Sequence, residues 1–246
     1  MGAEHSESGS PKEAASERPW PAASLKEVEA RLCAPGELFE METALIRGVA
    51  TRVWKNQPPT LAVGARLTRE AFGANTFIVY EDERVTYEAW FRAVVALARA
   101  LQARGVTKGD RVALAMRNLP EWPVVFFAVT SLGAIVVPLN AWWTGPELRY
   151  GLAQSGTRML ISDGERWERI RPFAPELPAL RDVIVARGGD ALAGAAVALE
   201  SLIGTPNAYA ALPDAPLPEV GIEPAFDGLR SDQRFGELLR RVGLSP

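Results

Sequence analysis

The sequence contains one cysteine and one histidine among 246 residues, and this scarcity excludes several kinds of active site. Cys33 has no second cysteine with which to form an internal disulfide, and a thiolate or imidazole metal cage needs more ligands than the chain holds. His5 lies in a polar tail, so a catalytic site of the Ser-His-Asp or Cys-His type is not expected. The sequence therefore predicts no metal site and no nucleophile activated by histidine.

An excess of basic residues is also absent, because 27 lysines and arginines face 30 acidic side chains and leave a formal net charge of -3. Binding nucleic acid through a charged face requires basic side chains that neutralise phosphates, so no nucleic-acid partner is expected. Residues 1–24 lack the basic start and apolar block of an export signal. Together with the single cysteine, this favours a cytoplasmic location.

One uncharged run, residues 122–146, is long enough to cross a bilayer. A single membrane helix is one interpretation, but Gly133 interrupts the run and Pro138 would remove a helix hydrogen bond that lipid cannot replace. A helix, a glycine stop and a buried β-branched strand explain the same letters. We prefer this second interpretation, because parallel sheets covered on both faces need nearly continuous apolar strands. It predicts no membrane span.

Regular alternation of strands and helices begins at residue 76. Two apolar runs flank the charged turn at Asp82 and Glu83, as in a β-hairpin. A helix follows, which Thr86 can cap at its start and Gly105 can end. One face of this helix carries Phe91, Val94, Val95, Ala98 and Leu101.

Two further helices have capping pairs at their starts, namely Asn118 with Glu121 and Thr144 with Glu147, and Gly156 closes the second of them. Between and after these helices lie the apolar strands RVALAM, AIVVP, RMLIS and DVIVA. Strands that alternate with helices through short connections form right-handed crossovers. The predicted fold class is therefore α/β, with a mostly parallel sheet flanked by helices.

Several short motifs, taken in order, resemble one enzyme family. They are VTYEA at 85–89, GVTKGDRV at 105–112, RNLPEW at 117–122, SLGAIVVPLN at 131–140 and NAWWTG at 140–145, with FEM at 39–41 and RVWK at 52–55 upstream. Together they resemble the N-terminal part of AMP-forming acyl-CoA ligases of the adenylate-forming superfamily, especially the fatty-acid and aromatic-acid branch. The similarity covers roughly residues 33–222.

This resemblance implies a reaction in which a carboxylic acid and ATP give an acyl-adenylate and pyrophosphate, after which coenzyme A takes the acyl group. ATP, Mg²⁺ and coenzyme A are the cofactors and substrates that the full-length family implies. The family holds the phosphates in a loop of the form Ser/Thr-Ser-Gly-Thr-Thr-Gly-x-Pro-Lys. That loop is absent from the sequence, and the nearest string, residues 155–158, is better explained as a helix exit into a strand. We therefore expect no catalytic residue, bound metal or cofactor in this chain alone.

The resemblance divides the chain into four segments. Residues 1–24 are predicted to be a disordered tail, because they contain almost no large apolar residue. Residues 25–186 resemble the N-terminal subdomain of the ligases, and 187–222 form a Gly-, Ala- and Pro-rich connection that is expected to be loosely packed. Residues 223–246 are predicted to be an amphipathic helical tail, and within them 226–244 resemble the closing helix of some tetratricopeptide-repeat proteins.

Candidate substrate-adjacent residues are Asn140, Trp142 and Trp143, which follow a strand at the end where ligands of open α/β sheets bind. Contact with an acyl group or coenzyme A is one interpretation, and packing of the tryptophans against a second subdomain of the family is another. Structural roles are expected for two further sets of residues. Lys108, Asp110, Thr86 and Tyr87 are assigned to turns, caps and core, and the arginines of 166–171 to a solvated helix face.

Two hypotheses of function remain open. In the first, the chain is an N-terminal piece of an acid-CoA ligase that cannot adenylate an acid by itself. In the second, it is a docking module or one half of a split ligase, whose partner is a chain that supplies the remaining ligase parts. Apolar surface left uncovered at Trp142 and Trp143 would also favour self-association.

Overall fold

A computed structural model describes residues 22–192 and 196–218, which fall into two compact units. The first ends at Gln57 and contains helix α1 (Leu25–Leu32) and the antiparallel hairpin of β1 (Met41–Ile46) and β2 (Val49–Trp54). The division at Gln57 falls inside the segment 25–186 that the sequence analysis treated as one subdomain.

The second unit begins at Pro58 and contains the remaining strands and α-helices. In chain order these are α2 (Leu61–Phe72), β3 (Thr76–Tyr80), β4 (Glu83–Thr86), α3 (Tyr87–Ala103), β5 (Arg111–Ala115), α4 (Glu121–Ser131), β6 (Ile135–Pro138), α5 (Gly145–Ser155), β7 (Met159–Asp163), α6 (Gly164–Ile170), β8 (Asp182–Ala186), β9 (Val197–Ala198) and α7 (Glu200–Ile203). Strands β3 and β4 form the predicted hairpin, which turns at Glu81 and Asp82.

Five parallel strands form the central sheet in the order β6-β5-β7-β8-β9, which confirms the predicted fold class. Alternate residues of β5 pack on opposite faces. Val112 and Leu114 join the cluster formed with α3 and α4, whereas Ala113 and Ala115 join the cluster formed with α5 and α6. Both faces of the sheet are therefore covered, and this accounts for the nearly continuous apolar strands of the sequence.

Helix α3 follows the sequence prediction at both ends. The Thr86 hydroxyl accepts a hydrogen bond from the Ala89 amide at 3.2 Å, and the chain leaves the helix through Gly105 at a φ of +75°. The five apolar residues predicted for one face are all buried. Helix α3 therefore buries the predicted face against the sheet.

The uncharged run at 122–146 folds as the preferred interpretation predicts. Helix α4 ends at Ser131, Gly133 adopts a φ of +66°, and β6 follows. Within the two described ranges, no helix is long and apolar enough to cross a membrane.

The predicted cap of α4 is wrong. Pro120 occupies the N-cap position without a side-chain hydrogen bond, so Asn118 does not cap the helix. Glu121 is only 2% exposed, and its carboxylate binds the Arg187 guanidinium rather than the Asn118 amide. The motif assigned the Glu121 side chain to capping, but in the fold this side chain pairs with Arg187 instead.

The expectation of loose packing after residue 187 is also wrong for the described part of the connection. Leu199, Ile203 and Tyr209 are at most 1% exposed and belong to the larger core cluster. The described regular elements of this stretch are short, namely β9, α7 and 3-10 helices at Gly189–Leu192 and Pro206–Ala211, and they suffice to place these three side chains on the core.

Two predictions fall on residues that the structure does not describe. Residues 1–21 of the tail predicted at 1–24 lie outside the described residues. The amphipathic tail predicted at 223–246 lies outside them entirely.

Two helix-interior glycines provide a paired test of the packing. A Cβ atom at Gly151 in α5 would lie 2.9 Å from Trp143 Cζ3 and 3.1 Å from Leu139 Cδ2, whereas one at Gly64 in α2 would lie 3.7 Å from the nearest atom, in Pro58. We expect Gly151→Ala to lower the free energy of unfolding by about 1–3 kcal/mol through overpacking. Gly64→Ala should raise it by up to about 1 kcal/mol through helix propensity.

Urea unfolding of both variants checks this prediction. Equal effects of the two substitutions would contradict the close packing of Trp143 on α5.

Candidate functional site

A cleft of about 930 Å³ lies at the carboxyl edge of the parallel sheet. Its lining comes from the segments that follow β5, β6, β7 and β8, together with Tyr80 of the hairpin and Trp122 of α4. Ligands of open α/β sheets bind at this edge, because the loops that leave neighbouring strands meet there.

The structure separates the three predicted substrate-adjacent residues. Asn140 and Trp142 line the cleft, and Asn140 Oδ1 accepts a hydrogen bond from the Trp142 amide at 2.9 Å. Trp142 is 70% exposed. Trp143 does not line the cleft but is partly buried and packs against the smaller core cluster at α5, where Gly151 leaves room for its ring. Two of the three residues therefore share a surface that a ligand can reach.

An arginine lies on the exposed tryptophan. The guanidinium carbon of Arg117 is 3.9 Å from the centroid of the Trp142 ring, within the range of a cation–π contact. No ion pair joins Arg117 to another residue in the described parts of the chain. The cleft therefore presents a cation held on an aromatic face, a combination that suits a ligand with both negative charge and apolar surface.

The prediction of a solvated face at 166–171 is wrong for Arg166. Its side chain is 1% exposed and forms an ion pair with Asp163 at 3.1 Å, while Nε donates to the Ala141 carbonyl at 2.7 Å. Arg171 remains half-exposed and pairs with Glu168. The buried carboxylate at the start of α6 explains the difference, because it compensates the guanidinium charge only at Arg166.

A second, partly buried ion-pair network borders the cleft through Arg187. Arg187 Nη2 donates to Glu83 Oε2 at 2.6 Å and Nε to Glu121 Oε1 at 2.9 Å, and the guanidinium lies 5.1 Å from the Tyr80 ring. Burial raises the pKa of Glu121 above its usual value, although the hydrogen bond from Arg187 opposes this shift. Burial lowers the pKa of Arg187, but its two carboxylate partners outweigh burial and raise it overall.

Sequence reasoning missed this network. Arg187 comes directly after the predicted strand DVIVA, at the edge where sites form, and that position is the one signal available. Its partners lie far from it in the sequence, and Glu121 had been assigned to a helix cap.

The predicted structural roles of four other residues are confirmed. Thr86 caps α3, and Tyr87 is partly buried and stacks on Phe77 with 4.5 Å between the ring centroids. Lys108 and Asp110 belong to the turn before β5, where the Thr107 amide donates to Asp110 Oδ2 at 2.8 Å. Burial raises the pKa of Asp110, but hydrogen bonds from Thr107 and Arg158 outweigh it and leave the pKa below its usual value.

The string at 155–158 also has the predicted role. Gly156 ends α5 in the left-handed conformation, and β7 begins three residues later at Met159.

The carboxylates of the cleft are already engaged by arginines. Asp163 and Glu165 both pair with Arg166, and Glu165 also pairs with Arg169. No group of three or more metal-ligating side chains occurs among residues 22–192 and 196–218.

Comparison with known proteins assigns the chain to a family. Residues 66–217 match the AMP-binding enzyme family, which covers more than half of the sequence, so the chain belongs to the AMP-binding enzymes.

Its relatives include named ligases. The chain is 36% identical over 100 residues to the long-chain-fatty-acid–CoA ligase FadD13 of Mycobacterium tuberculosis, covering 41% of this chain and 18% of that protein. It is 41% identical over 99 residues to the feruloyl-CoA synthase of an Amycolatopsis species, covering 40% and 20%. The matched part of the chain thus spans about a fifth of the length of these curated relatives.

The solved structures point to the same family. The anthranilate CoA ligase AuaEII, crystallised with anthranoyl-AMP, superposes with a TM-score of 0.53 at 26% identity over 60% of this chain and 28% of that one. This similarity supports the α/β subdomain described above.

Arg187→Met tests the network that Arg187 forms with Glu83 and Glu121. The substitution leaves the Glu121 carboxylate buried without its arginine. We therefore expect the free energy of unfolding at pH 7 to fall by about 2–4 kcal/mol. The loss should be smaller than for a fully buried pair, because the Arg187 side chain is 31% exposed. An acid whose pKa is raised by folding contributes stability that is present below its unfolded pKa and lost as pH rises through its folded pKa. Removing Arg187 raises the pKa of Glu121 in the folded state further. The loss of unfolding free energy relative to the unsubstituted protein should therefore become smaller as pH falls from 7 towards about 4.5.

Urea unfolding at several pH values measures this deficit. Adding Glu121→Gln to Arg187→Met should restore part of the lost stability, because the unpaired charge is then removed. Arg171→Met is the matched control, since its exposed pair should contribute less than about 1 kcal/mol. A deficit independent of pH, or one shared by the control, would show that Glu121 does not carry the effect.

Proposed function

We propose that this chain forms the N-terminal subdomain of an AMP-forming acid-CoA ligase, whose reaction converts a carboxylic acid, ATP and coenzyme A to acyl-CoA, AMP and pyrophosphate. Membership of the AMP-binding enzymes supports this proposal, as do the names of the three relatives reported above, which are two CoA ligases and a CoA synthase.

The observation that carries the proposal is the cleft at the carboxyl edge of the sheet. Its wall combines apolar side chains, including Trp122 and Leu139, with the Arg117 guanidinium on Trp142. An organic acid or its activated ester has a matching division between an apolar body and a negatively charged end. We assign Asn140 and Trp142 to substrate contact and Trp143 to support of α5.

We further propose that acid activation needs residues outside these 246. The motifs of the family end before the phosphate loop, and a triphosphate requires backbone amides, a metal ion and a cation arranged around it. ATP, Mg²⁺ and coenzyme A are therefore assigned to a complete ligase site to which this chain contributes one wall.

An ATP–pyrophosphate exchange assay with a panel of fatty and aryl acids tests both statements. The isolated chain should give no exchange above background. A chimera in which residues 58–218 replace the corresponding segment of the Mycobacterium tuberculosis ligase should give exchange, because the graft supplies the wall of the cleft. The corresponding segment of the feruloyl-CoA synthase, grafted in the same way, serves as the control.

Each result has a distinct meaning. Robust exchange by the isolated chain would overturn the need for outside residues. An inactive but folded chimera, alongside an active control graft, would overturn the assignment as a ligase subdomain.

A docking role is the second candidate function, and exposed apolar side chains favour it. Ile135 is 50% exposed on β6, an edge strand of the sheet, and Trp142 is 70% exposed nearby in sequence. We propose that this edge is covered in the assembled protein, by a chain that supplies the remaining ligase parts or by a second copy of this one.

Sedimentation velocity tests the second-copy arm of this proposal. The full chain should associate as its concentration rises, and Ile135→Lys should reduce association, because a lysine on an edge strand opposes strand pairing. Thr51→Lys, on an exposed hairpin of the first unit, is the control. A chain that remains monomeric, and that yields no exchange when mixed with the complementary ligase fragment, would argue against docking.

A further inference from the structure

Two loops meet at the cleft beside the start of α6, and they follow β5 and β6. Loops without regular secondary structure need other contacts to fix their relative positions. Two buried side chains at the start of α6, Asp163 and Arg166, between them contact both loops, and they are called the Asp163–Arg166 pair below.

Asp163 connects the loop after β5 to the start of α6. Its Oδ2 accepts a hydrogen bond from the backbone amide of Arg117 at 2.9 Å, and its Oδ1 accepts one from the amide of Arg166 at 2.8 Å. The carboxylate is 5% exposed. Hydrogen bonds to a buried charged group are strong, so this contact holds the Arg117 backbone firmly.

Arg166 connects the same carboxylate to the loop after β6. Its Nη1 donates to Asp163 Oδ2 at 3.1 Å, and its Nε donates to the Ala141 carbonyl at 2.7 Å. With 1% exposure, the guanidinium acts through these internal contacts. Arg166 therefore links the chain immediately before Trp142 to the residue that holds Arg117.

The two anchored loops carry the two members of the cation–π contact. Arg117 is itself anchored through its amide, and Trp142 directly follows the anchored carbonyl of Ala141. The 3.9 Å separation of guanidinium and indole depends on the distance between these loops. A displacement of either loop by a fraction of this distance would weaken the contact, which requires the cation close to the ring face.

We propose that the Asp163–Arg166 pair is a positioning device that sets the stacking of Arg117 on Trp142 and so shapes one wall of the cleft. It deepens the proposed function and rests on it for the statement that a substrate occupies the cleft. Because a buried ion pair contributes little net stability compared with apolar packing, its role here is to select one loop arrangement.

Fluorine NMR of the full chain labelled with 5-fluorotryptophan tests the proposal without any substrate. The sequence has seven tryptophans, and Trp142→Phe identifies the resonance of Trp142. Arg117→Gln removes the cation and gives the position of that resonance without stacking. Arg166→Lys and Asp163→Asn should each shift the Trp142 resonance towards that position, while the resonance of Trp90, a buried residue of α3, stays unchanged.

Arg171→Lys is the matched control, because it alters an exposed arginine at the end of the same helix and should leave Trp142 unchanged. An unchanged Trp142 resonance in folded Arg166→Lys and Asp163→Asn proteins would overturn the proposal. Loss of the chemical-shift dispersion of all seven tryptophan resonances in both variants would overturn it too. The pair would then support the whole fold rather than two loops. Neither result affects the exchange assay, so the two proposals can fail separately.

Discussion

The burial of β5 on both of its faces is the constraint from which the rest of the second unit follows. Val112 and Leu114 need one layer of helices, and Ala113 and Ala115 need another, so the chain must cross over the sheet between strands. Parallel strands then all end at one edge. Every loop that can carry a polar side chain to a ligand is brought to that edge, and the cleft is the result.

Local signals in the sequence predicted most of this architecture. Thr86 and the pair of Thr144 with Glu147 cap their helices as expected, and Gly156 ends α5 in the left-handed conformation. Helix caps, helix-ending glycines and apolar periodicity depend on residues that are close in the sequence. They can therefore be recognised without knowledge of the fold. The position of Asn140 at the carboxyl edge of the sheet was also predicted, because Asn140 closely follows a strand that the sequence identifies.

The errors concern side chains whose partners are distant in the sequence. Glu121 has the spacing of a capping residue, yet its partner Arg187 lies 66 residues away, and no local pattern reports that pairing. Arg166 was assigned to solvent because its neighbours are charged, but Asp163 compensates its charge inside the fold. Contacts of this kind build the walls of the cleft, so the position of the site was predictable while its chemistry was not.

The uncharged run at 122–146 also has a consequence for biosynthesis. Helix α4 packs against α3 and strand β6 pairs with β5, and both α3 and β5 precede them in the chain, whereas β7 joins the other side of β5 later. Until α4 and β6 pack against these earlier elements, the nascent polypeptide carries an uncharged apolar segment of about the length of a membrane span. Burial of this segment can therefore begin before β7 has been synthesised.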